Sequence, residues 1–300
     1  MKKIVASLLL VLILSIAAVY IFIPPHLQVS QVARIHCTPA GAFRHISDDG
    51  KWTAWFRAGN DNRYQVTQKL RNTLDIRIQH GSSSIPSLLQ LVPLPLDSVG
   101  IEWGCTLEAG NNPLQRVQTY LQARAIHAGM TEVLEQMQSF LENKKNVYGF
   151  TIEQVTIKDT FLITGKTVFP SYPATADIYK LIQTLKDYID SRGAHQSGYP
   201  IININQLDTN RFQLMAAVPA DKQLPGAGAV SFTRMVPGQF ITIDVQGGPA
   251  RVSEAVNQLQ LYFSDYQRTS MAIPFQALIT DRLTEPDTSK WRTRIYQPVY

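Results

Sequence analysis

The last strand-like segment of the chain, Arg292-Thr293-Arg294-Ile295-Tyr296, holds the residue types best suited to recognising a charged molecule. Alternation along an extended strand puts Arg292, Arg294 and Tyr296 on one face and Trp291, Thr293 and Ile295 on the other. A guanidinium framed by aromatic rings suits a carboxylate or phosphate head group, which it grips through charge-assisted hydrogen bonds. If that face points into a cleft, a cationic pocket results. The structural alternative is that Arg294 pairs with an acid such as Asp244 or Glu254, or reaches solvent. Tyr199, Phe212, Met215, Phe240, Trp291, Arg294 and Tyr296 are the candidate ligand-binding residues of this half. Trp52, Trp55 and Trp103 are the candidates of the other half, where each also suits a core position.

Catalytic spacings are missing from the sequence. There is no GxSxG elbow, no HExxH, no nucleotide fingerprint and no phosphate-binding glycine loop. Gly247-Gly248-Pro249 lacks the Lys-Ser/Thr that would bind phosphate and metal, and reads as a tight turn before a helix. The six histidines are dispersed, with no metal-ligand spacing among neighbours. The expectation is a binding protein with no cofactor and no catalytic residue. Two alternatives stay open: a small-molecule hydrolase using Asp244, Glu254 or Glu285, and a structural envelope-interaction protein.

The elements that must position these residues come in two copies, 79 residues apart. Phe161 and Phe240, Pro170 and Pro249, Ala176 and Ala255, Phe212 and Trp291, and Pro219 and Pro298 all share the spacing. Each copy reads as a short apolar strand ending near Pro170 or Pro249, an amphipathic helix, and a second strand closing on Val218-Pro219 or Gln297-Pro298. Neither copy alone has enough core to bury its apolar face, so the two are expected to pack about a pseudo-twofold axis with a ligand cleft between them.

The run Val218-Pro219-Ala220-Asp221, then Val236-Pro237-Gly238-Gln239-Phe240, then Gln246-Gly247-Gly248-Pro249, and finally Trp291 to Val299 resembles a GyrI-like effector-binding domain. The resemblance covers roughly residues 150–300 and implies a duplicated β-α-β-β fold. Many such domains carry Glu in the last strand, in a pattern like Arg-Thr-Glu-Ile-Tyr, for cation recognition or, in members described as hydrolases, acid/base chemistry. Here Arg294 holds that position, and its counterpart 79 residues earlier is Met215. Arginine stays protonated and methionine does not titrate, so neither serves as a general base, and neither inherited property carries over.

The region before it opens with a partly alternating strand at 29–37, then Thr38-Pro39-Ala40 beginning a short helix, the turn Asp48-Asp49-Gly50, and the tryptophan-rich Lys51-Trp52-Thr53-Ala54-Trp55. Strand-like segments follow near 64–69, 73–80, 85–91 and 98–107, the third expected to be irregular or edge-like because of Pro86, Pro93 and Pro95. A long helix over 114–142 closes the region, with Met130, Val133, Leu134, Met137, Phe140 and Leu141 on one face. This order is similar to the SRPBCC (START-like) superfamily, which implies a helix-grip antiparallel sheet around a long C-terminal helix. The overall class is thus α+β. The expected division is an anchor at 1–26, a helix-grip domain at 27–146 and an effector-binding domain at 148–300, a tandem arrangement known among bacterial proteins.

Three hundred residues, 45% hydrophobic and 17% charged, suit about two globular domains. The net charge of +5 is scattered. Its densest stretch, Arg57, Arg63, Lys69, Arg71 and Arg77, reads as a solvated strand face, and no helix-turn-helix pattern is present, so no nucleic-acid partner is expected. Residues 4–23 are apolar, follow Lys2 and Lys3, and match the thickness of a bilayer core. They are expected to be a retained single-pass anchor in the inner membrane with residues 27–300 outside the cytoplasm. The alternative is a signal peptide cleaved near Ala17 or Ala18. Cys37 and Cys105 either pair in an oxidising compartment or stay separate buried residues.

Overall fold

A computed structural model describes residues 2–57, 59, 62–158, 160–235, 237–270 and 273–299. Met1 of the expected anchor and Val236 of the run quoted above lie outside the described residues. The chain is mixed α+β and divides into two compact units, Met1–Asn143 and Lys144–Tyr300. Each is built on one antiparallel sheet.

The first unit runs α1 (Lys2–Phe22), β1 (His26–Ile35), α2 (Pro39–Ile46), a 3-10 turn (Asp49–Ala54), β2 (Asn62–Leu70), β3 (Thr73–His80), β4 (Ser83–Leu94), β5 (Ser98–Glu108) and α3 (Pro113–Leu141). Its strands are ordered β1-β5-β4-β3-β2. Both globular helices start as their sequences dictate, with proline in the first turn and a polar cap before it. Thr38 Oγ1 accepts from Gly41 N at 3.2 Å, and Asn112 Oδ1 from Leu114 N at 2.9 Å. Alternation sends Leu74, Ile76 and Ile78 of β3, Leu89 and Leu91 of β4, and Ile101 and Trp103 of β5 into the core. Helix α3, which packs against β1 and β5, adds Ile126, Met130, Val133 and Met137. Each such side chain contributes about 1.5–3 kcal/mol by leaving water. Cys37 and Cys105 are buried reduced thiols.

Strand β4 is interior, between β5 and β3, and not edge-like, the second of the two expectations raised by its prolines. It pairs with β3 over residues 83–90 and with β5 over residues 87–94. Pro86 therefore falls where only β3 is alongside, and Pro93 where only β5 is. Each proline lacks an N–H at a point where the strand has one neighbour, so the sheet loses no ladder bond.

Helix α1 contains a 20-residue stretch, Lys3–Phe22, of mean hydropathy 2.9, none of it buried, which is long and apolar enough to cross a membrane. Its end is fixed to the start of α3 by Arg116. That side chain donates from Nε to Gly110 O (3.0 Å) and from Nη1 to Ile23 O (2.8 Å), and its guanidinium lies 4.6 Å from the centre of the Tyr20 ring.

The second unit runs α4 (Lys144–Tyr148), β6 (Ile152–Ile157), β7 (Thr160–Phe169), α5 (Thr175–Ser191), β8 (Ile201–Asp208), β9 (Arg211–Ala220), β10 (Ser231–Met235), β11 (Gly238–Gln246), α6 (Pro249–Asp265), β12 (Phe275–Leu278) and β13 (Arg292–Val299). The eight strands are ordered β10-β7-β9-β8-β12-β13-β11-β6. The repeating unit is thus β-β-α-β-β, one strand longer than the β-α-β-β expected, and the first strand of each half pairs with the other half. Gln154 of β6 pairs with Ile241 of β11, and the residues 79 away, Thr233 of β10 and Leu162 of β7, pair with each other. Ile157 and Thr160 are three Cα steps apart, at most about 11 Å. Since β6 and β7 lie at opposite sides of the strand order, the sheet must curl to bring them together.

The repeat is not uniform. Helices α5 and α6 are each 17 residues long but begin 74 residues apart, at Thr175 and Pro249. At that spacing Ile178 matches Val252, Leu185 matches Leu259 and Ile189 matches Phe263, all buried. Ala176 and Ala255 are consequently not equivalent: the first is exposed and the second buried. Three residues of the shift arise in 170–174, a longer β7–α5 connection than the two glycines, Gly247 and Gly248, that join β11 to α6, and two at the end of β7, since Phe169 and Gln246 are 77 apart. Strand pairing also slips by one, since Phe161 pairs with Ala220 whereas Phe240 pairs with Pro298 rather than Val299.

Candidate functional site

One face of the second sheet is closed by helices, and the site lies on the other. Ile163, Ile202, Leu214, Ala216, Val218 and Leu278 pack with Ile178, Ile182, Leu185 and Ile189 of α5 in one buried cluster. The alternate residues Ile201, Pro219, Ala277 and Tyr296 face away from it and line a cleft of about 490 Å³. Ile157, Thr160, Phe161 and Met235, at the points where the exchanged strands cross between halves, form another wall. The cleft therefore sits where the duplication closes on itself.

Four of its lining residues, Phe161, Tyr199, Phe275 and Tyr296, are aromatic. Phe275 and Tyr296, cross-strand partners on β12 and β13, stack with ring centres 4.9 Å apart and planes at 16°. Phe240 meets both edge-on, at 5.9 and 6.2 Å. Tyr199 stands at the rim, 55% exposed. The segment carrying it lies close against β9: Ser197 N donates to Pro219 O at 2.9 Å, and a Cβ on Gly198 would meet Pro219 at 3.2 Å. Among the described residues, Asp221 supplies the one charged side chain in the lining. Its Oδ1 accepts from His195 N at 3.0 Å, and its own N donates to His195 O, so the backbone holds the carboxylate in place.

Arg294 is not in the lining, which corrects the cationic pocket expected from the final strand. Its cross-strand partner on β11 is Asp244, and the two form a forked pair, Nε to Oδ1 at 2.5 Å and Nη2 to Oδ2 at 2.7 Å. Asp244 raises the pKa of the guanidinium most, and Tyr296, its neighbour on the same strand face, acts in the same direction. In return the hydrogen bond from Arg294 holds the Asp244 carboxyl below its ordinary pKa. Physically, the cross-strand neighbour supplied the acid that the charge required.

The remaining expected residues divide. Tyr199 and Tyr296 line the cleft and Phe240 backs it, whereas Met215 is exposed on β9 beside Lys166 and Asn203 and does not line it. Phe212 and Trp291 occupy the alternate strand positions and so belong to the helix side, Phe212 packing edge-on against Tyr172 at 5.9 Å. Trp52, Trp55 and Trp103 are core residues, 4%, 9% and 1% exposed, in a ring cluster joined through Tyr64. Trp52 Nε1 donates to Ile46 O and Trp103 Nε1 to Ser87 Oγ, which lets two polar ring atoms be buried. Asp244, Glu254 and Glu285 lie apart and are engaged by Arg294, by Arg251 and by the amide of Asp287. No group of three or more His, Cys, Asp or Glu suited to a metal occurs among the described residues. Phe161 and Asp221 stood in the repeat and the motif run without being singled out. Phe275 had no signal beyond a four-residue strand.

No protein-family model matches the chain, and no curated protein matches it. Among solved structures it is similar to the C-terminal domain of EcmrR, at 13% identity over 50% of this chain and 98% of that one, with a TM-score of 0.44. It is also similar to EcmrR in an EcmrR–DNA complex, at 14% identity over 62% and 70% with a TM-score of 0.46. A hydrolase from Listeria innocua is similar at 10% identity over 50% and 92%, with a TM-score of 0.39. Identities this low leave the functional reading to the geometry of the chain itself.

Proposed function

We propose that this chain is a membrane-tethered binding protein that holds a small aromatic or amphipathic molecule in the cleft of its second unit. In this reading α1 is a retained single-pass anchor, residues 27–146 are a START-like helix-grip domain, and residues 148–300 are a GyrI-like effector-binding domain outside the cytoplasm. The observation that carries it is the aromatic cleft of about 490 Å³ with a single fixed carboxylate. That volume falls in the range of small-molecule sites, and such sites are mostly apolar with a few placed polar groups. With Arg294 neutralised by Asp244, the charge presented to a ligand is negative, from Asp221. A cation beside Phe275, Tyr296 and Tyr199 gains attraction from the ring faces as well. The preference is therefore for neutral or cationic ligands, the reverse of the anion preference expected from the final strand.

The test is titration of the full chain, in a neutral detergent, with benzyltrimethylammonium and with phenylacetate. The cation should bind more tightly, and Asp221→Asn should weaken it by roughly threefold to tenfold without altering the melting temperature. Tighter binding of phenylacetate, with no effect of Asp221→Asn, would refute the assignment.

A further inference from the structure

The hairpin link that differs most between the two halves delivers an unneutralised arginine to a second cavity. Strands β8 and β9 are joined by two residues, Thr209 and Asn210, whereas β12 and β13 are joined by residues 279–291. The longer link is pinned at its start by Tyr179, whose hydroxyl donates to Thr280 O (3.2 Å) and accepts from Arg282 N (2.8 Å). It is pinned at its end by Trp291 Nε1 donating to Glu285 O (2.8 Å). Between these points Arg282 is held by neutral groups. Its Nη2 donates to Thr293 Oγ1 at 2.8 Å, and its guanidinium lies 4.7 Å from the centre of the Trp291 ring.

Among the described residues no carboxylate pairs with Arg282, and its Nε is buried with no hydrogen-bond partner. Arg282 is among the residues that line a cavity of about 450 Å³ on the helix side of the sheet. Ile178, Ile202, Ile204, Val252 and Val256 supply apolar walls, and Tyr172 stands beside the arginine. A charge removed from water without a counter-ion is costly, and an anion that enters the cavity relieves that cost. The other arginine considered above, Arg294, has its acid already.

We propose that this cavity is a second ligand site, which takes a singly charged organic carboxylate with an apolar body. One arginine balances one charge, and its fork of donors fits the two carboxylate oxygens while the isoleucines and valines cover the hydrocarbon. The site is on the opposite sheet face from the cleft, so it does not depend on the cleft's occupant.

Fluorine NMR of the full chain in neutral detergent, titrated with 4-(trifluoromethyl)benzoate and with 4-(trifluoromethyl)benzylammonium, tests it. The benzoate should bind, Arg282→Gln should weaken it at least about tenfold while leaving the benzylammonium, which the cleft takes, unchanged, and Tyr296→Ala should leave the benzoate unchanged. Val256→Trp, which fills the cavity without touching the charge, should also abolish binding and decides the matter if Arg282→Gln does not fold. Benzoate binding unaffected by either substitution at 282 or 256, or benzylammonium binding weakened alongside it by Arg282→Gln, would overturn the proposal. Loss of benzoate binding on Tyr296→Ala would assign it to the cleft instead and overturn the second site.

Discussion

At the scale of single residues, charge pairing decides what each arginine can do. Arg294 and Asp244 are 38% and 47% exposed, so their pair is worth no more than about 1 kcal/mol despite its forked geometry. Because the Asp244 pKa is depressed in the folded chain, its contribution is fully present above the ordinary aspartate range near 3.9 and is lost as pH falls through the lower native value. A double-mutant cycle with Asp244→Asn and Arg294→Gln should show this coupling at pH 7 and a diminishing one as pH falls below the ordinary aspartate range, read by thermal melting. Burial acts differently on Cys105, pushing its thiol up to about 11. The native chain should therefore be almost inert to iodoacetamide at that site at pH 8, while urea-unfolded chain reacts; rapid native labelling of Cys105 would contradict its placement. The sequence showed that Arg294 and Tyr296 share a face and that Asp244 was a possible partner. It could not choose, because the choice rests on the β11–β13 register.

At the scale of elements, the repeat is legible where strands keep the 79-residue spacing and hidden where connections change length. Phe212 and Trp291 correspond because β9 and β13 keep it, while the helices drift to 74 through the longer 170–174 connection and the later end of β7. The exchange of first strands had no local signal, since alternation in β6 and β10 is the same whichever strand lies alongside. Arg282 had none: the 79-residue spacing sets it against Asn203, and the longer β12–β13 link shows only once the strands are placed. Matching helix ends carry a prediction. Gly193 after α5 and Gln267 after α6 are 74 apart and both left-handed, with φ of 60° and 50°. Glycine adopts that conformation without the steric cost that a side chain brings. Gln267→Gly should raise stability by about 0.5–1 kcal/mol in thermal or urea melts; a loss would mean that the glutamine side chain makes a compensating contact.

At the scale of the whole molecule, the two units differ in where they place their aromatic rings. The first fills its interior with Trp52, Trp55, Trp103 and the apolar face of α3, whereas the second keeps an aromatic cleft on the sheet face away from its helices. Composition and periodicity made the α+β class and the long α3 readable, since both depend on local patterns. Which tryptophans fill a core and which aromatics border a cleft depends on long-range pairing, and remained open until the strands were placed. Hydrogen exchange of the full chain with saturating benzyltrimethylammonium tests the central claim most directly. The account predicts slowed exchange in residues 197–201, 275–278 and 292–299, around Tyr199, Phe275 and Tyr296, with residues 49–105 unchanged. Protection around Trp52, Trp55 and Trp103 instead, or none in the second unit, would contradict it.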